Sequence, residues 1–180
     1  MQYYNCPFNY INDYNDYDNY GYDDLYRTES MPSQITNIYS YPQNLQAALG
    51  LIQDSVAGER EDELFYNYLL NTAPSSEAKR IISGIRDDEK KHNVLLRSMY
   101  TQLTGKTLPA SQNEQFKKPS SYLDGIKNSI IGETDAVKRY RRILFALQNR
   151  TNINMLTEII SDELRHASLY NMLFSMGKTR

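Results

Sequence analysis

From residue 45 onward the apolar positions recur at helical spacing. Leu45, Leu49, Ile52, Val56, Tyr66 and Leu70 fall, together with Glu59 and Glu63, at alternating steps of four and three, which is one helix face with two acids at its middle. Asn71 to Ser76 then reads as a turn, because Pro74 cannot sit inside a helix and Ser75 or Ser76 can cap the next one. A second helix carries Ile81, Ile82, Ile85, Glu89, His92, Leu96, Met99 and Leu103 on one face. A third presents Ile126, Ile130, Glu133, Val137, Tyr140 and Leu144 and stops near Gln148 to Asn152, and a fourth presents Leu156, Ile159, Glu163, His166, Leu169 or Tyr170, and Leu173 and ends at Gly177. Between the second and third helices lies the polar stretch Gly105 to Lys118, whose fourteen residues can extend about 45 Å, enough to traverse a 28-residue helix of about 42 Å. The pattern predicts an all-α four-helix bundle over residues 43–178, with a long crossover between its second and third helices.

Residues 1–42 have no such period. They hold ten of the sixteen tyrosines, interleaved with Asn, Asp and Gly, and read as a disordered tail. Such a tail either docks to, or cross-links with, a larger assembly, or is an inert extension. Six acids against Arg27 give its first 34 residues a net charge of −5, leaving +3 on the rest of a chain whose total is −2. Neither value points to nucleic acid. Cys6 is the single cysteine, which excludes an internal disulfide and any multi-cysteine metal site. No basic, apolar leader opens the sequence and no apolar run approaches the roughly 20 residues that span a bilayer. The default expectation is a cytoplasmic protein without membrane contact, with a spore- or coat-type assembly as the alternative that the tail raises.

The acids on the buried stripes carry the chemistry. Gly58-Glu59 is followed thirty residues later by Glu89-Lys90-Lys91-His92, and Gly132-Glu133 is followed thirty residues later by Glu163-Leu164-Arg165-His166, the second copy lying 74 residues after the first. Glu59 and Glu89 are equidistant from Pro74, and Glu133 and Glu163 from Gln148, so all four glutamates stand at mid-height of their antiparallel hairpins. Ionised carboxylates on a buried stripe each cost several kcal/mol unless neutralised. Two divalent cations balance four glutamates, and the Glu-x-x-His spacing sets a carboxylate and an imidazole one turn apart on one face. Oxygen and nitrogen donors without sulfur suit iron or manganese.

In these residues the chain resembles the ferritin-like di-iron carboxylate proteins, and most closely in style the rubrerythrin-like group, over about residues 43–178. Asp88-Glu89-Lys90-Lys91-His92 and Asp162-Glu163-Leu164-Arg165-His166 both follow the family's Asp-Glu-x-x-His pattern, the second with its arginine. The resemblance implies a ferritin-like bundle binding two iron ions, with manganese as the alternative. Glu59 and His92 would be terminal ligands of one ion, Glu133 and His166 of the other, Glu89 and Glu163 the bridges, and Asp88 and Asp162 acceptors that orient the imidazoles. Ala136 stands where rubrerythrins usually have a further glutamate, and no four-cysteine rubredoxin module is present.

The resemblance further implies an oxidoreductase that reduces peroxide or dioxygen, with electrons from an external donor because no relay is built in. Rival readings are a manganese catalase-like or ferroxidase activity, or a metal-binding structural or coat-type protein assembled through its tail. A homodimer is compatible with either class. Tyr66 and Tyr140, each seven residues after a helix glutamate, are core residues or hydrogen-bond donors to the site. Glu63, one turn beyond Glu59 where the second half has Val137, is a further ligand, a proton relay or a surface acid, and the relay is the reading preferred here. Lys138-Arg139-Tyr140-Arg141-Arg142 reads as an exposed basic face with Tyr140 inward.

Overall fold

A computed structural model describes residues 38–110 and 116–178, the side chain of Glu59 excepted. Most of the tyrosine-rich tail therefore lies outside the described residues. Five helices are delimited among the described residues: α1 (Leu45–Ala57), α2 (Glu59–Thr72), α3 (Ser76–Thr104), α4 (Tyr122–Leu144) and α5 (Arg150–Lys178). No strand occurs among the described residues.

The first predicted helix is interrupted, a correction to the continuous face read above. Gly58 adopts φ −89° and ψ 5°, between the α and β regions, and α1 ends there and α2 begins. Its carbonyl still accepts from the Asp62 amide at 3.0 Å, so the chain is kinked rather than turned away. Glycine has the lowest helix propensity after proline and is a common place for a kink. The consequence is a change of phase: the buried positions of α2 are Glu61, Phe65, Tyr66 and Leu69.

The remaining boundaries follow from capping. Ser75 starts α3, its hydroxyl accepting from the Ala78 amide at 3.1 Å, and Ser121 starts α4 by accepting from Asp124 at 3.1 Å. Gly105 ends α3 in the left-handed region (φ 71°), with its N–H bonded to the Thr101 carbonyl at 2.8 Å. The short turn after α4 feeds α5, where the Asn149 side chain accepts from the Thr151 amide at 2.9 Å. Residues 38–42, assigned to the tail from sequence, pack on this end of the bundle, and the Tyr39 ring lies 4.8 Å from that of Phe145.

Helix α1 packs on α3 and α4, α2 on α3 and α4, and α3 and α4 each pack on α5. Two apolar clusters fill the interior. One joins Ile52, Val56, Leu96, Met99, Ile143 and Leu156, and the other joins Phe65, Leu69, Ile82, Ile85, Ile126 and Leu173. Since the C-terminal part of α3 belongs to the first cluster and the N-terminal part of α4 to the second, the connection between them runs the length of the bundle. It is fastened at both ends: Arg97 donates to the carbonyls of Leu108 and Pro109, and the Tyr68 hydroxyl donates to that of Pro119. This is the all-α bundle with a long crossover expected from the pattern. Leu156 is fully buried in the first cluster, so Leu156→Ala is expected to cost about 2–5 kcal/mol in urea unfolding of the metal-free chain.

Candidate metal centre

Between the two apolar clusters lies one polar layer. Glu133, Glu163 and His166 are completely buried and His92 is 1% exposed. Helix α3 contributes Glu89 and His92, α4 Glu133, and α5 Glu163 and His166, each i, i+3 pair facing inward. His92 Nδ1 is 3.0 Å from Glu163 and 3.5 Å from Glu89, and His166 Nδ1 is 3.0 Å from Glu89 and 3.7 Å from Glu133. One ligand atom each from Glu89, Glu133, Glu163 and His166 falls within 4.8 Å of the others. Glu59 opens α2, and its side chain lies outside the described residues.

The outer nitrogens are held crosswise. His92 Nε2 is 3.2 Å from Asp162 and His166 Nε2 is 3.2 Å from Asp88, so each half of the repeat steadies the imidazole of the other. Arg165 closes this face, with Nη2 at 2.6 Å from Asp88 and 2.9 Å from Asp162. A ring N–H held by a carboxylate leaves the opposite nitrogen directed at the glutamates. Asp162→Asn is expected to weaken metal binding about 10–100-fold, as measured by competition with a chromophoric chelator.

The residues fit a dinuclear cation site. Both oxygens of Glu163, Glu89 Oε1 and the two Nδ1 atoms are buried, and none has a partner with hydrogen-bond geometry among the described residues. Such atoms are costly unless a cation gathers them. In the metal-free chain protons do part of this work. Burial alone would push the His92 imidazole down, but Glu163 and Glu89 outweigh it and hold it up at about 11. Burial opposes His166 likewise, and Glu89 raises it. Burial pushes Glu89 up, yet the two imidazoles bring it below its ordinary value, whereas burial and the charge of Glu89 hold Glu163 above.

Around this layer stand three phenols. Burial raises Tyr66 well above the usual tyrosine value, reinforced by Tyr170, Glu89 and Glu133, and burial with the charges of Glu163 and Glu89 does the same for Tyr140. Both therefore remain protonated beside the carboxylates. Tyr170, fully buried, completes the set. It occupies the repeat position of Leu96, so the internal repeat concealed it, and the sequence left Leu169 and Tyr170 undecided.

Glu63 requires a correction. Its carboxylate is half exposed and paired with Arg60 three residues earlier, at the mouth of a cavity rather than among the buried carboxylates. The phase change at Gly58 places Asp62, not Glu63, on the inner side of α2. The cavity has a volume of about 300 Å³ and reaches from Arg60, Glu63 and Lys90 at the surface to Glu89, His92, Tyr66 and Tyr140. Ser55 and Asn93 also line it, and sequence alone singled out neither.

With this geometry established, comparison with known proteins is decisive. The family model described as Rubrerythrin matches residues 51–173. The chain belongs to the rubrerythrin family. Within reach of that family, the chain is 28% identical over 116 residues to the uncharacterized protein YhjR of Bacillus subtilis (strain 168), covering 64% of this chain and 79% of the relative. Its fold is similar to the crystal structure of a conserved hypothetical protein from Mycobacterium tuberculosis, with a TM-score of 0.62 and 15% identity over 73% of this chain and 93% of that one. A hypothetical protein from Pyrococcus furiosus is also similar, with a TM-score of 0.59 and 20% identity over 73% and 89% of the two chains. No described helix of this rubrerythrin-family chain is long and apolar enough to cross a membrane.

Proposed function

We propose that the protein is a di-iron oxidoreductase that reduces peroxide or dioxygen at a carboxylate-bridged centre. The observation that carries this reading is the buried layer in which the two inner imidazole nitrogens face the carboxylates, His92 Nδ1 at 3.0 Å from Glu163 and His166 Nδ1 at 3.0 Å from Glu89, with one ligand atom each from Glu89, Glu133, Glu163 and His166 within 4.8 Å of the others. In this reading Glu89 and Glu163, with Glu133, His92 and His166, would hold the two ions. The 3.7 Å approach of His166 to Glu133 supports their sharing one ion, which leaves His92 and Glu59 for the other. When bound, the iron pair would cycle between its +2 and +3 states and supply the electrons for reduction.

The chain's own residues set the conditions. Asp88 and Asp162 fix both rings with Nδ1 inward. The phenols of Tyr66 and Tyr140 keep their protons beside the carboxylates, where they can hydrogen-bond to a carboxylate or yield a proton to a reduced oxygen. The two apolar clusters flank the layer on either side, and among the described residues the cavity beside α2 gives a route to it.

The test is peroxide consumption by anaerobically iron-loaded protein with ascorbate as reductant. Turnover should scale with iron content and disappear in Glu133→Ala. A chain that binds two irons yet leaves both peroxide and dioxygen unconsumed would overturn the reading.

A further inference from the structure

The internal repeat supplies a control for the cavity beside α2. Shifted by 74 residues, its mouth residues Arg60, Arg86 and Lys90 become Thr134, Ile160 and Leu164. Asp62 and Glu63 become Ala136 and Val137, and Asn93 becomes Ala167. Ala136 and Ala167 are buried. One half of the molecule has thus kept an open, charged approach to the polar layer while the equivalent positions of the other half are mostly small or apolar.

The size of the opening bears on what enters. About 300 Å³ is many times the roughly 10–15 Å³ that one water needs, and more than peroxide or dioxygen requires. The interior is amphipathic, with Tyr66, Tyr140 and Leu96 as its less polar walls and Ser55 and Asn93 as hydrogen-bonding groups. Such a space suits an aromatic ring with a polar tip. At the mouth Arg60 is paired with Glu63 and Arg86 with Asp87, and Lys90 stands exposed beside them.

The chain itself carries rings of that kind in acidic surroundings. Residues 1–37 contain eight tyrosines, and Tyr14, Tyr17, Tyr20 and Tyr22 are interspersed with Asp16, Asp18, Asp23 and Asp24. The described chain begins beside Phe145, at the end of the bundle where α1 starts. Helix α1 has 13 residues, so the cavity lies about 20 Å from that end, and the 12 residues from Arg27 to Ile38 span up to about 40 Å.

We propose that the cavity admits tyrosine side chains of residues 1–37 and that these phenols are the reductant for the site. The inference rests on the peroxide-reducing reading above and replaces a separate electron donor with the chain's own tail. The balance closes. Two phenols each give up the hydrogen of their O–H, and these two hydrogens reduce one hydrogen peroxide to two waters. The two rings then join through a new carbon–carbon bond, and the hydrogens displaced from the ring carbons return to the phenol oxygens. The product is dityrosine, which joins tail to tail within or between molecules.

Two measurements on the full chain test this. In metal-free protein, a water-soluble carbodiimide should link Lys90 to tail aspartates, as mapped by mass spectrometry, and Arg60→Glu/Arg86→Glu should lower that yield at least about fivefold while retaining the helical circular dichroism. In iron-loaded protein, peroxide without added reductant should produce about one dityrosine per peroxide, located in residues 1–37. Absence of both the Lys90 links and the tail dityrosine overturns the proposal. Peroxide consumption that needs ascorbate and leaves the tail tyrosines intact overturns it while leaving the peroxide reading in place. Links that form while peroxide is untouched even with ascorbate overturn the peroxide reading instead, and the donor role with it.

Discussion

Glu163→Ala is expected to leave the chain almost without metal after anaerobic loading, although the substitution touches one side chain. Glu163 is fully buried on α5 and lies 3.0 Å from His92, an imidazole of the other half of the repeat. In the proposed centre this carboxylate would serve both ions, so its removal would take a ligand from each. His166→Ala removes a donor from one ion only and should lower the content mainly at that site. Helical circular dichroism should persist in both variants, because the two apolar clusters do not depend on the polar layer. Metal analysis distinguishes the outcomes. A content that stays at two in Glu163→Ala would show that this carboxylate is no bridge.

Metal affinity is expected to rise steeply with pH. In the metal-free chain His92 is held up at about 11, so at neutral pH it carries a proton that a metal must displace, and His166 is shifted in the same direction. Release of at least one proton on loading corresponds to a gain of roughly 10-fold or more in affinity per pH unit. Calorimetry in buffers of different protonation enthalpy counts those protons. Stability should move in the opposite direction in the metal-free chain. A raised imidazole contributes fully below its unfolded value of about 6.5 and loses that contribution as pH climbs toward its folded value, about 11 for His92. The melting temperature of metal-free protein should therefore fall from pH 6.5 upward. That of loaded protein should not, and the gap between them should widen. Affinity that stays level between pH 6 and 8 would mean that the imidazoles are already neutral.

Helix faces and ligand heights were legible in the sequence for a simple physical reason. Buried stripes repeat every three or four residues, and mid-height positions follow from counting to the turns. Glu89, His92, Glu133, Glu163 and His166 occupy one buried layer because their spacing to Pro74 and Gln148 allows little else. Glu63 shows where counting fails. The interruption at Gly58 changes the phase of α2 without any change in the apolar period that would announce it, and a residue projected inward from α1 emerges half exposed. The crosswise pairing of His92 with Asp162 and His166 with Asp88 was equally hidden. Spacing shows that an aspartate and a histidine share a helix face but not which helix the ring will lean toward. The cavity arises between four helices, from Ser55 of α1 and the start of α2 to α3 and Tyr140 of α4, and no local pattern in the sequence encodes it.

Iron-57 Mössbauer spectroscopy of the anaerobically loaded chain, before and after one equivalent of hydrogen peroxide, tests the dinuclear centre most directly. The account predicts two iron(II) ions per chain that convert together into a spin-coupled pair of iron(III) ions with no net magnetic moment at low temperature. One iron per chain, or magnetically isolated iron(III) after oxidation, would contradict it.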